Sequence, residues 1–329
     1  MQNTKTGDFR NVPEGESWRS FLYRNIYIFS AVLVVSVFYI INPSFLSLYS
    51  IQNITREMAP LLPMACGIGF VLYTGCIDLS IGAVASAACV ITGLNVADVG
   101  HWIIPMMLAF GVLIGIVNGS LVSRIKLPSF IVTLCAQSVY RAAAIVLSGG
   151  GSQNIALKQR YLVNWMSAIV FGLPLMFWIS LGIVLACLII ERNTKLGKSI
   201  FAIGANEKAA RLAGVDTVRT KTMAFMLCAV GAAIGGVMYA YKLKSSVPAI
   251  GDDKFMMAIS SVALGGTLFS GGRGSALRTL VGVITVISIS SGMNMAGVDP
   301  LWNNVVFGIV LIVAVAINSE KGIRDLIIK

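Results

Sequence analysis

Histidine and charged residues are scarce in this chain. It contains one histidine, and only 12% of its 329 residues are charged, whereas 57% are apolar. Soluble domains carry about 25% charged residues, so the composition predicts an integral membrane protein that lies in a lipid bilayer. The single histidine, His101, excludes a zinc site built on a histidine pair and an HExxH motif. We therefore expect no catalytic residues, no metal ligands and no enzyme activity in this chain.

The cysteines and a partial phosphate-loop sequence do not complete a site either. No two of the six cysteines have CxxC spacing, and all lie in or beside apolar segments, which favours small core residues. The sequence LGKS at 196–199 matches a phosphate-binding loop only if position 192 is glycine, but Arg192 stands there. The chain itself is thus not expected to hydrolyse nucleotide or to bind a cofactor.

Long apolar runs predict an all-α bundle of about ten transmembrane helices, since each span needs about 20 residues. The runs are too long for transmembrane strands, which alternate over about ten residues. The third and eighth spans are short, so nine or eleven spans are alternatives. Residues 25–318 form one predicted transmembrane domain, between a cytoplasmic N-terminal segment 1–24 and a cytoplasmic tail 319–329. The predicted spans are 26–41, 58–74, 83–96, 103–122, 128–147, 166–190, 223–241, 255–269, 276–297 and 305–317.

The distribution of basic residues predicts the orientation in the membrane. The net charge is +11, and 18 of the 25 Lys and Arg fall on one side of the predicted spans, against six on the other. Basic residues beside apolar spans are typical of cytoplasmic loops, so no nucleic-acid partner is expected. The remaining Arg141 lies within a span and is expected to snorkel or to pair with an acidic residue. Both termini, the loop 191–222 and the turn SGGRGS at 270–275 are predicted to be cytoplasmic.

The central loop 191–222 contains seven of the basic residues and a short helix with recognisable ends. Asn206 can cap its N-terminus, Glu207 favours the positive end of the helix dipole, and Gly214 can adopt the left-handed conformation that stops it. A capped helix in a charged loop is not needed for packing inside a bilayer. We therefore expect a partner outside the membrane to bind this helix.

Polar residues within the predicted spans or close to a membrane end are candidates for a solute pathway. Asp78 has two possible roles. It handles solute or ions, or it caps the third helix together with Ser80, because a carboxylate at a helix N-terminus accepts hydrogen bonds from the free backbone amides. Asn118, Gln137 and Asn294 either line a pathway for a hydroxylated solute or form hydrogen bonds across helices.

Glycines recur at four-residue spacing in two predicted spans. Glycines four residues apart lie on one helix face and let a second helix approach closely. The predicted helix-packing residues are Gly111, Gly115 and Gly119 in the fourth span and Gly231 and Gly235 in the seventh.

Four stretches resemble the membrane permeases of bacterial ABC importers for ribose, xylose, galactose and related solutes. Their order and spacing cover most of the chain from about residue 60 to residue 320. They are GCIDLSIGA (75–83), GIVNGSLVSRIKLPSFIVTL (115–134), TKLGKSIFAIGANEKAARLAGV (194–215) and ALGGTLFSGGRGSALRTLVG (263–282).

The resemblance implies a type II ABC importer-like permease with helical repeats in the bacterial cytoplasmic (inner) membrane. Such permeases pair around one central pathway, here with a second copy of the chain or with a paralogue. An extracytoplasmic solute-binding protein delivers the solute from outside. Separate ATP-binding subunits, which hold ATP and Mg, bind the cytoplasmic face. Pentoses, hexoses, polyols and sugar-like signalling molecules are all open as solutes.

The resemblance also implies which residues couple the permease to its ATPase. The coupling segment of the family matches Gly204 to Gly214, so the helix at 206–213 would dock in a groove of the ATPase. Glu207, Lys208 and Arg211 would be contacts there. The alternative function is an ion-coupled secondary transporter of a small polar solute. Such a transporter needs several intramembrane carboxylates, and Asp78 is the candidate in this sequence.

Overall fold

The computed structural model describes residues 25–327, most of which are helical. The predicted segment 1–24 and the last two residues of the predicted tail lie outside the described residues. In chain order, the α-helices are α1 (Ile26–Ile41), α2 (Leu48–Tyr73), α3 (Ile81–Val99), α4 (Ile103–Ser123), α5 (Ser129–Leu147), α6 (Tyr161–Asn164), α7 (Leu175–Asn193), α8 (Lys195–Ala205), α9 (Glu207–Leu212), α10 (Thr217–Leu243), α11 (Ile250–Leu264), α12 (Ala276–Met295) and α13 (Trp302–Ile327).

Two short antiparallel strand pairs accompany the helices in the described range. The first pair joins the loop after α5 to the residues after α10, with Gln153 opposite Ser246. The second pair is a hairpin that precedes α7, with Ile169 opposite Pro174. The strands are β1 (Gln153–Asn154), β2 (Ile169–Val170), β3 (Leu173–Pro174) and β4 (Ser245–Ser246).

The surface of the bundle has the pattern of a membrane protein. Large apolar side chains point outward from the peripheral helices, as at Val146 of α5 (77% exposed) and Ile312 of α13 (70% exposed). By length and composition, five apolar segments of the described chain can cross a membrane, and two shorter apolar helices accompany them. The prediction of an all-helical membrane protein is confirmed. The five segments are Ile81–Ser123 (which contains α3 and α4), Ser129–Leu147, Leu175–Asn193, Thr217–Leu243 and Ala276–Met295.

The second predicted span starts too late in the sequence. Residues 44–57 were expected to be a short connection, but α2 already begins at Leu48. The helix starts there because the Ser47 hydroxyl accepts a hydrogen bond from the Ser50 amide at 3.2 Å and caps the N-terminus. The second helix is therefore longer than predicted and contains Pro60 and Pro63.

The sixth predicted span starts too early. Residues from Met166 were expected to be helical, but α7 begins only at Leu175. The β2–β3 hairpin precedes it, and its turn residues Phe171 and Gly172 have φ values of +49° and +81°. Such left-handed residues cannot continue an α-helix. The eighth predicted span, 255–269, corresponds to α11, which lies about five residues earlier in the sequence.

Helix α10 forms the centre of the bundle and packs against α4, α2 and α3. The glycines permit this close packing. A Cβ added at Gly115 would overlap the backbone of Met226, and one added at Gly231 would overlap the carbonyl oxygen of Pro63. Backbones of neighbouring helices therefore touch on both sides of α10. Comparable contacts occur at Gly111, Gly119 and Gly235.

The turns of the bundle gather at two ends. One end, which we call the basic end, contains the turn between α2 and α3, the turn between α4 and α5, the segment 194–216 and the turn 265–275. Backbone contacts join these turns, since the Gly272 amide donates to the Tyr73 carbonyl at 2.9 Å. The other end, which we call the opposite end, contains the loop 148–174 and β4.

Candidate functional site

The short helix α9 lies at the basic end, and a specific residue defines each of its two ends. The side chain of Asn206 accepts a hydrogen bond from the Ala209 amide at 3.0 Å, while its extended backbone separates α9 from α8. Gly214 has φ +85° and terminates the helix. The predicted N-cap and the predicted glycine stop are both confirmed.

One face of α9 is exposed, and we call it the free face. Ala210 is buried against the bundle, whereas Lys208, Arg211 and Leu212 are exposed, Leu212 at 90%. Sequence analysis did not select Leu212. The helical spacing could have indicated it, because a residue two positions after a buried one lies on the other side of the helix. The free face therefore combines two cations with one large apolar side chain.

The acidic residue of α9 makes its contacts within the chain. The Glu207 carboxylate lies 2.7 Å from the Lys221 ammonium and 3.6 Å from the Arg211 guanidinium. Lys221 belongs to α10, and its side chain is only 15% exposed. Arg211 also donates to the Thr217 hydroxyl at 3.4 Å. These contacts fasten α9 to the start of the central helix.

Gly204, in the last turn of α8, lies directly against two other turns of the basic end. A Cβ at this position would overlap the Tyr73 carbonyl oxygen and the Gly272 amide nitrogen. The Gly272 backbone has φ +76°. Only glycine, which has no side chain, lets the backbones approach this closely. Gly204 therefore holds the segment before α9 against the end of α2 and against the turn that follows α11.

A groove of about 1150 Å³ lies beside α9. The start of α10 forms one wall and the α4–α5 turn forms another. Lys126 and Lys208 line it together with apolar residues such as Leu127 and Val215. The groove and the free face of α9 give the basic end an indented, cationic surface.

Asp78 belongs to a hydrogen-bonded chain that joins three segments near the basic end. Its carboxylate is 2% exposed and accepts from the Ser80 amide at 2.8 Å and the Ser80 hydroxyl at 2.6 Å. Asn118 of α4 donates to the Ser80 hydroxyl at 3.0 Å, and the Tyr140 hydroxyl of α5 donates to Asn118 at 2.9 Å. Burial raises the pKa of the Asp78 carboxyl from its usual value, and the bonds from Ser80 oppose that rise.

These hydrogen bonds test the two roles that the sequence predicts for the polar residues, a solute pathway and structural support. The Asp78 carboxylate accepts a hydrogen bond from the amide of Ser80, the residue that precedes α3, and from no amide in the first turn. The predicted side-chain cap of this helix by Asp78 and Ser80 is therefore wrong. Asn118 does bond across helices. Gln137 is half-buried on α5, and Asn294 is exposed at the end of α12. The structure thus brings Asp78 and Asn118 together and leaves Asn294 at the opposite end.

The opposite end contains a second polar region. Asn294 lines a pocket of about 330 Å³ there. Nearby, the Arg141 guanidinium lies 2.7 Å from the Asp252 carboxylate, so of its two predicted arrangements Arg141 adopts the ion pair. Within the described residues, no three His, Cys, Asp or Glu side chains form a group that could hold a metal ion.

Glu191, at the end of α7, is a functional candidate that the sequence analysis missed. It is 5% exposed, and its carboxylate accepts from the Ala276 amide at 2.8 Å and from the Ser275 hydroxyl at 3.3 Å. It therefore caps the N-terminus of α12, a helix that begins 85 residues later in the chain. The position of Glu191 in the last turn before a basic loop could have indicated a role. The sequence does not indicate its partner, because Ala276 lies far away in the chain.

The fold and this surface agree with the comparison to known families. Residues 50–315 match the family described as branched-chain amino acid transport system / permease component. The chain belongs to this family of transport permeases, and it is a multi-pass protein of the bacterial cytoplasmic membrane. No solved structure matches the chain.

Curated relatives confirm the resemblance to sugar-importer permeases. The ribose import permease protein of Bacillus subtilis is 34% identical over 90% of this chain and 91% of its own length. The ribose import permease protein of Escherichia coli K12 is 28% identical over 89% and 93%. The L-arabinose transport system permease protein of the same organism is 29% identical over 91% and 90%.

Proposed function

We propose that this chain is the transmembrane permease subunit of an ATP-driven importer for a sugar or sugar-like solute. An extracytoplasmic binding protein delivers the solute to the opposite end, and separate ATPase subunits, which hold ATP and Mg, bind the basic end. The single observation that carries the proposal is the capped helix α9, which exposes Leu212, Lys208 and Arg211 on one face. The relatives named for ribose and L-arabinose transport support a sugar as the solute.

The proposed topology has ten spans with both termini in the cytoplasm, in a type II importer-like arrangement. Ten helices in the described range have 15 residues or more. The basic end gathers the loop 191–222 and the turn 270–275, which the positive-inside bias places in the cytoplasm. Two such chains, or this chain and a paralogue, enclose one pathway.

The proposed coupling route starts at α9. Closure of the ATPase pair moves α9 as a rigid unit, because a short capped helix does not bend. The ion pair of Glu207 with Lys221 passes this movement to α10. The backbone contact of Gly204 passes it to the turns that hold Tyr73 and Gly272. The movement thus reaches α2, α10 and α11 together.

The buried bonding of Asp78 argues against the ion-coupled alternative. A carboxylate that cycles protons or sodium needs access to a water-filled path. Asp78 is 2% exposed and is bonded to Ser80. We therefore assign Asp78 to the internal support of the basic end, and the ATP-driven importer remains the proposed function.

The test is transport by reconstituted proteoliposomes. The chain is incorporated with its ATPase and its solute-binding protein, and uptake of radiolabelled D-ribose and L-arabinose is measured with and without ATP. We expect uptake only when all components and ATP are present. Uptake by the chain alone, driven by a proton or sodium gradient, would contradict the proposal.

A further inference from the structure

The pocket at the opposite end is built from side chains that suit a polyhydroxylated molecule. It measures about 330 Å³ and lies between the ends of α11, α12 and α13. Small-molecule sites span about 300–1,000 Å³, so one monosaccharide fits its size. The polar residues that line it include Asp253, Lys254, Ser291, Asn294, Asn303 and Asn304.

The charges around the pocket cancel. Glu57, which also lines it, forms an ion pair with Lys242. Asp253 accepts a hydrogen bond from the Asn304 amide group at 2.8 Å, and the Lys254 ammonium supplies the second positive charge. Two carboxylates are therefore matched in number by two ammonium groups, of which Lys254 lines the pocket and Lys242 lies behind Glu57. Such a site favours a neutral solute over a phosphorylated or otherwise anionic one, since binding brings no uncompensated charge.

The amide groups of the pocket retain capacity for hydrogen bonds. The Asn303 side-chain oxygen is buried and accepts no hydrogen bond from the described residues. Asn294 is exposed at the pocket. An asparagine amide both donates and accepts, and so does each hydroxyl of a sugar. A buried acceptor without a partner is unusual in proteins, and the exposed amide of Asn294 is the one that a solute in the pocket can reach.

We propose that this pocket is a contact site at which the permease itself binds the neutral polyhydroxylated solute after release from the binding protein. The inference rests on the proposed function and adds a selection step within the membrane subunit. Asn294 and Asn303 supply hydrogen bonds to the solute. The ion pair of Glu57 with Lys242 and the hydrogen bond from Asn304 to Asp253 hold the walls of the pocket in place.

The experiment uses the complete transporter in proteoliposomes, with D-ribose and L-arabinose as labelled probes. The variants are Asn294→Leu and Asn303→Leu, which keep a similar volume and remove the amide. The matched control is Asn95→Leu, because Asn95 is exposed near the end of α3 and bonds only to the Ile91 carbonyl of its own helix. Solute uptake per ATP hydrolysed and the ratio of the two uptake rates are measured.

We expect Asn294→Leu to lower uptake per ATP about tenfold or more and to change the ribose-to-arabinose ratio, because a lost solute hydrogen bond costs selectivity. Sugar affinity of the binding protein is expected to stay unchanged, as is every property of Asn95→Leu. Asn294→Gln, which keeps the amide, should restore much of the uptake.

Two results would overturn the inference. One is wild-type uptake and ratio in both leucine variants. The other is an Asn294→Gln variant as defective as Asn294→Leu, since the loss then reflects packing and not hydrogen bonding. Failure of the unmodified transporter to import either sugar with ATP would instead contradict the proposed function for these two pentoses, and the inference with it.

Discussion

The carboxylate of Glu207 lies 2.7 Å from the ammonium of Lys221, fourteen residues later in the chain. One residue belongs to the exposed helix α9 and the other to the central helix α10. Glu207 is 41% exposed and Lys221 is 15% exposed, and ion pairs that keep contact with solvent add little to stability, about 0–1 kcal/mol. We therefore expect this pair to matter for the transfer of movement between the helices more than for the folding of the bundle.

The first prediction concerns this pair. Glu207→Gln and Lys221→Gln should each reduce solute uptake per ATP hydrolysed several-fold, and the double variant should be no worse than Glu207→Gln alone, because the glutamate substitution already removes the contact with Lys221. The charge exchange Glu207→Lys with Lys221→Glu should recover part of the loss. Reconstituted transport and ATP hydrolysis are measured together.

Arg219→Gln is the control for the first prediction. Arg219 is 82% exposed and pairs only with the neighbouring Asp216 at 3.1 Å. It should retain wild-type coupling. Additive losses in the double variant would show that Glu207 and Lys221 act separately and would contradict the proposed route.

The second prediction concerns Leu212. An apolar side chain that is 90% exposed on a helix face with two cations is suited to insert into a partner pocket, and such anchors contribute about 2 kcal/mol or more to an interface. Leu212→Ser should weaken association with the ATPase about thirtyfold, as measured by titration of the ATPase onto the permease in nanodiscs.

Leu157→Ser tests whether exposure alone explains that effect. Leu157 is 77% exposed in the loop at the opposite end. It should leave ATPase association unchanged. Equal weakening by both substitutions, or none by Leu212→Ser, would remove Leu212 from the interface.

The third prediction concerns helix packing. Gly115→Val should destabilise the folded chain by about 1–3 kcal/mol or more, because the new side chain overlaps the Met226 backbone. The measurement is the thermal unfolding midpoint of the detergent-solubilised chain. Gly182→Val is the matched control, since a Cβ at this α7 position meets no atom within 4 Å. A similar midpoint for both variants would contradict the tight contact of α4 with α10.

The fourth prediction concerns the hydrogen-bonded chain of Asp78. Tyr140→Phe removes the donor to Asn118 and should lower stability by about 1 kcal/mol. Tyr161→Phe is the control, because Tyr161 is 71% exposed in the loop at the opposite end. The unfolding midpoints of the two variants are compared. An unchanged midpoint in Tyr140→Phe would mean that water replaces the bond without cost.

The sequence predicted those features whose physical cause is local. The cap by Asn206, the stop at Gly214 and the helical membrane class all depend on neighbouring residues or on composition. The start of α7 was misplaced because the turn at Phe171 requires a positive φ from a residue that rarely adopts it. The cap formed by Glu191 was missed because its partner lies 85 residues away.

The contact between Glu191 and Ala276 closes a large loop in the chain. The loop contains the four helices α8, α9, α10 and α11. At its neck, the Glu191 carboxylate holds the segment before the loop to the segment after it. A break of the backbone at the exposed residue Ala213 therefore leaves two fragments that are still joined, at the neck and along α10. The permease should assemble from two separately synthesised halves divided after Ala213, with α9 at the end of one fragment and α10 near the beginning of the other.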